Sequence, residues 1–84
     1  MSWKLAWTRP ALKDMKRLDK GTARRIREEL LHLAATGHGD VKRMKGERDK
    51  WRLRVGGWRA IVTYRHATLI LLVLRVRRRD KAYR

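Results

Sequence analysis

The stretch WRLRVGGWRAIVTYR, residues 51–65, alternates arginine with tryptophan, leucine and valine. In an extended chain successive side chains point to opposite faces, so Arg52 and Arg54 share one face while Trp51, Leu53 and Val55 share the other. Arg59 follows a Gly-Gly turn and can join them from the next strand. A guanidinium stays charged at physiological pH and presents a planar fork of donors that matches phosphate oxygens. Arg75, Arg77, Arg78 and Arg79 close the last apolar run, and Tyr83 stands beyond them. Cleavage of RNA requires a base for the 2′-hydroxyl proton, a donor for the departing 5′-oxygen and cations for the charge on phosphorus. Tyr83 is the candidate base, its phenol acidified from an ordinary pKa of about 10 by surrounding arginines. Arg52, Arg54, Arg59 and Arg79 are the candidate cations. No leaving-group acid stands out, since arginine hardly releases its proton. Such a site is a poor general nuclease and gains from a partner that orients the RNA. The contrasting reading is a solvated face that discourages sheet aggregation. Repulsion among clustered cations, relieved by an anion, favours phosphate.

The elements that must position these residues are legible in outline. SWKLAW at 2–7 alternates as a strand. Thr8 is a candidate cap, Pro10 fits a first helical turn, and Ala11, Leu12, Met15 and Leu18 give a helix over about 9–18 its apolar stripe. Asp19, Lys20 and Gly21 read as its end, with Thr22 capping a second helix whose buried face is Ala23, Ile26, Leu30, Leu33 and Ala34. Residues 41–50, VKRMKGERDK, read as a basic connection without sustained period. Strands follow over 51–55, 58–65 and 68–76, with His66 and Ala67 as a tight turn. The order β-α-α-β-β-β predicts one α+β domain over 1–84, a helical hairpin packed on one face of a small, mainly antiparallel sheet. Trp3, Trp7, Trp51 and Trp58 read as core anchors of that sheet.

Composition bounds the partners. The 84 residues carry 24 Lys plus Arg against 8 Asp plus Glu, a formal net charge of +16. That surface attracts polyanions and repels copies of itself, so the free chain is expected to be a monomer. The chain has no cysteine, and its three histidines are too scattered for a metal box, so neither a metal nor another cofactor is expected. MSWKLAWTRP is broken by Lys4, Arg9 and Pro10 before any signal-peptide h-region forms, and the apolar run at 67–74 is too short to span a bilayer. A soluble, cytoplasmic protein without a membrane partner is the expectation.

WRLRVGGWRAIVTYR followed by LLVLRVRRRDKAYR resembles the C-terminal half of the RelE/ParE superfamily of bacterial type II toxins, and ALKDMKRL and VKRMKG resemble that family's N-terminal helix and the loop before its second strand. Resemblance to the RelE branch implies an mRNA interferase that enters the ribosomal A site and cleaves the codon there, leaving a cyclic or 3′-phosphate and a 5′-hydroxyl. It places basic residues where Arg52 and Arg54 stand, matches Arg59, Arg79 and Tyr83 to its catalytic arginines and tyrosine, and proposes the tyrosine as base. Our reading of Arg79 is a phosphate clamp. Lys42, Arg43, Lys45, Lys50, Arg75, Arg77 and Arg78 are the further candidates for contact with RNA and the 70S ribosome. The resemblance also implies a cognate antitoxin, and an acidic amphipathic segment would complement the charge. Arg52 and Arg54 are bulkier than the family's common lysines, and Arg77 and Arg78 replace a common glycine and histidine. Two other readings stay open: a ParE-like poison of DNA gyrase, which generally lacks the full arginine and tyrosine set, and an inactive RNA- or ribosome-binding module.

Overall fold

In the computed structural model, which describes residues 2–46 and 49–78, the alternating N-terminal residues form β1 (Lys4–Trp7) and the chain turns at once into α1 (Arg9–Lys16). Thr8 makes that turn possible. Its hydroxyl oxygen accepts from the Ala11 amide at 3.2 Å and so caps the helix, while its hydroxyl donates to the Leu74 carbonyl at 2.8 Å. The second helix, α2 (Lys20–Thr36), starts one turn earlier than expected: its cap is Asp19, whose carboxylate accepts from both the amide and the hydroxyl of Thr22. Two cap-competent residues three apart competed for the role, and α1 ends at Lys16, sooner than the expected 18, with Arg17 as its C-cap. Gly37 closes α2 in the left-handed region at φ 77, its amide donating to the Leu33 carbonyl at 2.8 Å.

Four more strands follow: β2 (Val41–Arg43), β3 (Trp51–Val55), β4 (Trp58–Arg65) and β5 (Ile70–Arg78). With β1 they form a five-stranded sheet in the order β1-β5-β4-β3-β2, parallel only between β1 and β5. The expected α+β architecture holds. The basic connection nevertheless contains a strand, because Val41 pairs with Leu53 and Arg43 with Trp51 along the outer side of β3. Three residues cannot display a period, so β2 had no signature. The last strand begins two residues late, since Leu69 at φ 55 completes a turn over residues 66–69.

The helices cover one face. Ile26, Leu30, Leu33 and Ala34 from α2 and Ala11 and Met15 from α1 bury Leu53, Val55, Ala60, Val62, Leu71, Val73 and Val76 of the sheet. Residues between these on the strands face the open side. In β5 the alternation slips once: Ile61 and Val62 are consecutive on β4, but they pair with Arg75 and Val73, leaving Leu74 as an extra residue. This bulge reverses the facing of everything after it, sending Val76 into the core and Arg75 and Arg77 to the open side.

Asp14 holds the bulged end. β1 stops opposite Val73, so the edge of β5 beyond it would expose unpaired backbone groups. The Asp14 carboxylate accepts from the Val76 amide at 2.9 Å and from Arg75 Nε and Nη2 at 2.9 and 3.2 Å. Burial would raise its pKa, but the Arg75 hydrogen bond, the Val76 amide and the charges of Arg75 and Arg77 outweigh it and hold the carboxyl below its ordinary value of 3.8. Since the folded value lies below the unfolded one, this contribution is complete above the ordinary carboxylate pKa and is lost as pH falls through the folded value. Asp14→Ala should destabilise the fold by about 2 kcal/mol in urea denaturation at pH 7, with the difference from wild type shrinking below about pH 4. An equal difference at pH 7 and in that acid range would show that the carboxylate charge contributes nothing.

Candidate functional site

The Gly-Gly turn sets the register of the arginine face. Gly56 takes φ 58 at the first position of a two-residue hairpin loop, which places Val55 opposite Trp58 and therefore Arg54 opposite Arg59. On the other side of β4, Arg59 pairs with Arg77. Arg54, Arg59 and Arg77 thus form one row across three adjacent strands on the face that the helices leave open. A second row beside it holds Lys42, Arg52, Ile61 and Arg75. Directly opposed side chains on neighbouring strands lie about 4.5–5.5 Å apart at Cβ, so three cations in a row repel one another across each pair.

The three differ in environment. Arg59, at the centre, is only 8% exposed, Arg54 is half-buried and Arg77 is exposed. Arg54 has a distant carboxylate partner, Asp40 Oδ2 at 3.9 Å from its Nε. At that length and exposure the pair contributes little. Asp40 matters more through its backbone, whose carbonyl accepts the Arg54 amide at 2.9 Å and anchors the start of β2 against β3. A cleft of about 360 Å³ adjoins the row at the Arg77 end, lined by Asp14, Arg17, Leu18, Trp58, Arg75, Val76, Arg77 and Arg78.

Other candidate residues are disposed differently. Arg75 turns to the sheet edge and its fork is taken by Asp14. Arg78 lies over the Trp58 ring, 5.6 Å from its centroid, and Arg43 over Trp51 at 5.9 Å, both on the helix side of the sheet. Lys42 and Lys45 are exposed and Lys50 half-buried along the connection that carries β2. Arg79 and Tyr83 lie outside the described residues. The structure therefore joins Arg54, Arg59 and Arg77 in one row with Lys42 and Arg52 beside it, and separates Arg43 and Arg78 from them. Among the described residues no cluster of His, Asp or Glu is arranged to hold a metal ion, and no helix is long and apolar enough to cross a membrane.

Sequence reasoning missed Asp14. A signal was present, because Asp14 falls three residues after Ala11 on the apolar stripe of α1, where a carboxylate requires a partner. It also missed Asp40, which has no comparable signal.

The comparisons agree with this architecture. A chain of the toxin–antitoxin complex RelBE2 from Mycobacterium tuberculosis superposes with a TM-score of 0.84 at 18% identity, covering 94% of this chain and 93% of that one. A chain of the archaeal RelE–RelB complex from Pyrococcus horikoshii gives 0.79 at 22%, covering 96% and 99%. The isolated E. coli RelE toxin gives 0.73 at 14%, covering 92% and 84%. No curated protein sequence matches the chain. The family described as the ParE toxin of the type II toxin–antitoxin system parDE matches residues 5–83. The chain belongs to that family of toxins, within the RelE/ParE superfamily, and has the fold of RelE.

Proposed function

We propose that this toxin is a ribosome-dependent endoribonuclease that cleaves mRNA in the A site and thereby blocks translation in the cytoplasm. The observation that supports the reading best is the row Arg54–Arg59–Arg77 with Lys42 and Arg52 beside it. Like charges placed opposite one another weaken a sheet, and a bound phosphodiester reverses the sign of that contribution. Binding would then increase as negative charge builds on the non-bridging oxygens in the transition state. In the reaction the 2′-oxygen attacks phosphorus, its proton passes to a base, and the bond to O5′ breaks. The products are a 2′,3′-cyclic phosphate and a 5′-hydroxyl once O5′ takes a proton. Tyr83 is the base in this reading and Arg79 a phosphate clamp. Arg52, Arg54 and Arg59 carry the developing charge, and Arg77 extends the row. Lys42, Arg43, Lys45, Lys50, Arg75 and Arg78 serve ribosome contact or the fold that presents the row. The 70S ribosome supplies the alignment of mRNA that a shallow cationic face cannot impose alone.

The partner in the resting state is an acidic antitoxin. The RelBE2 and RelE–RelB structures are complexes of a toxin with its antitoxin, and a +16 surface suits an acidic segment from such a protein. The family match, to ParE, supports a second reading in which the chain poisons DNA gyrase by binding alone.

Purified toxin added to programmed ribosomes with an empty A site should cut the mRNA there, mapped by 5′ ends. Arg54→Ala, Arg59→Ala and Tyr83→Phe should each slow cutting by about 100-fold or more. Intact mRNA together with inhibition of gyrase supercoiling in a companion reaction would establish the second reading. Intact mRNA with ribosome binding alone would mark an inactive binding module.

Arg77→Gln separates stability from function. It removes a like charge opposite Arg59 and, with it, a favourable charge near Asp14. These oppose one another at an exposed position, so urea denaturation should show stability within about 1 kcal/mol of wild type, while cleavage slows. A loss of both stability and cleavage would make Arg77 a structural residue.

A further inference from the structure

The end of the sheet away from the arginine row carries a second concave surface that the proposed chemistry does not use. Trp3 before β1, Trp51 at the start of β3, Tyr64 near the end of β4 and His66 in the turn after it bring four rings together. Trp3 meets Tyr64 and His66 edge-on, with centroids 5.2 and 5.3 Å apart, and Trp51 meets Tyr64 at 5.9 Å and 88°. With Arg43 and Asp49 they wall a recess of about 520 Å³, within the range of small-ligand pockets. Two of the four tryptophans and one of the two tyrosines are gathered here, and none of the three is fully buried. Burial pushes the Tyr64 phenol up, so that ring is neutral at physiological pH and acts as an apolar wall.

We infer that this recess is a stacking subsite for one unpaired base of single-stranded RNA. Perpendicular aromatic walls and a guanidinium plane, Arg43 over Trp51 at 5.9 Å, are the surfaces on which unstacked bases are held. The polar groups at the mouth suit a base edge better than an apolar anchor: Asp49 is an acceptor and Arg43 a donor. The path also fits. β2 is the edge strand, with Lys42 and Arg52 paired on the arginine face and Arg43 and Trp51 paired on the recess side. A single strand passing around that edge can place phosphates on the first pair and a base in the recess. The inference rests on the reading of RNA as partner, but its test uses neither ribosome nor cleavage, so the two can fail separately.

The test is fluorescence anisotropy with the full chain and a labelled hexaadenylate carrying 2′-O-methyl sugars, which cannot be cleaved, against an abasic hexamer with the same phosphates. Wild type should prefer the base-bearing oligomer by about tenfold. Arg43→Ala and His66→Ala, both at exposed positions, should narrow the gap, and Trp51→Ala should close it. Should Trp51→Ala fail to fold, photocrosslinking of wild type with a 4-thiouridine hexamer should label Trp51, Tyr64 or His66. Equal affinity for the two oligomers, or crosslinks confined to the arginine face, would overturn the assignment. So would recess variants that keep oligomer binding but lose binding of an acidic amphipathic 18-residue peptide, which would mark a protein anchor.

Discussion

The extra residue at Leu74 determines which way the end of the sheet faces. β5 begins with Leu71 and Val73 in the core, and strict alternation would continue with Arg75 and Arg77 pointing at the helices. Burying two guanidiniums there would be prohibitive. The bulge exchanges them for Val76 and brings Arg77 to the open face opposite Arg59. It is fastened by α1: Thr8 takes the carbonyl of the extra residue, and Asp14 takes the Val76 amide and the Arg75 fork. Thr8 also caps the helix, and Asp14 stands in for the partner strand that β1 no longer supplies. Helix start, sheet edge and arginine row are therefore one arrangement, and a change to Thr8 or Asp14 is felt at the row without touching it.

The row sets like charges opposite one another. Like charges opposed on adjacent strands repel, and the domain is small enough to bury only about 60–65% of its unfolded surface. The fold tolerates them because its fully buried apolar side chains lie on the other face, where Leu30, Leu53, Leu71 and Val73 are completely or almost completely excluded from water. One face thus holds the molecule together, while the other carries the arginine row that the proposed function assigns to phosphate. A net charge of +16 repels like-charged surfaces and attracts acidic ones.

Much of this was legible in the residues. Alternation assigned Arg52 and Arg54 to one face, the Gly-Gly turn fixed Arg59 beside them, and the helical spacing of Ile26, Leu30 and Leu33 identified the covering layer. Three things were hidden, each for a physical reason. The run ILLVL is apolar at successive positions and so conceals a one-residue slip. β2 is too short to show a period. Asp19 and Thr22 both have capping side chains, and only the folded turn decides between them. Charge alone also fails to say where an arginine goes, since Arg43 and Arg78 lie over tryptophan rings and Arg75 binds Asp14.

The central claim is that Arg54 and Arg77 meet phosphate. The most direct test is the salt dependence of binding between the free toxin and a non-cleavable single-stranded RNA, for wild type, Arg54→Gln and Arg77→Gln. Each phosphate contact on a single strand contributes about 0.7 to the slope of log K against log salt. The slope should be shallower by about that amount in each variant, with the decrements adding in the double variant. Slopes identical to wild type would contradict it and return the arginine row to a solvated face.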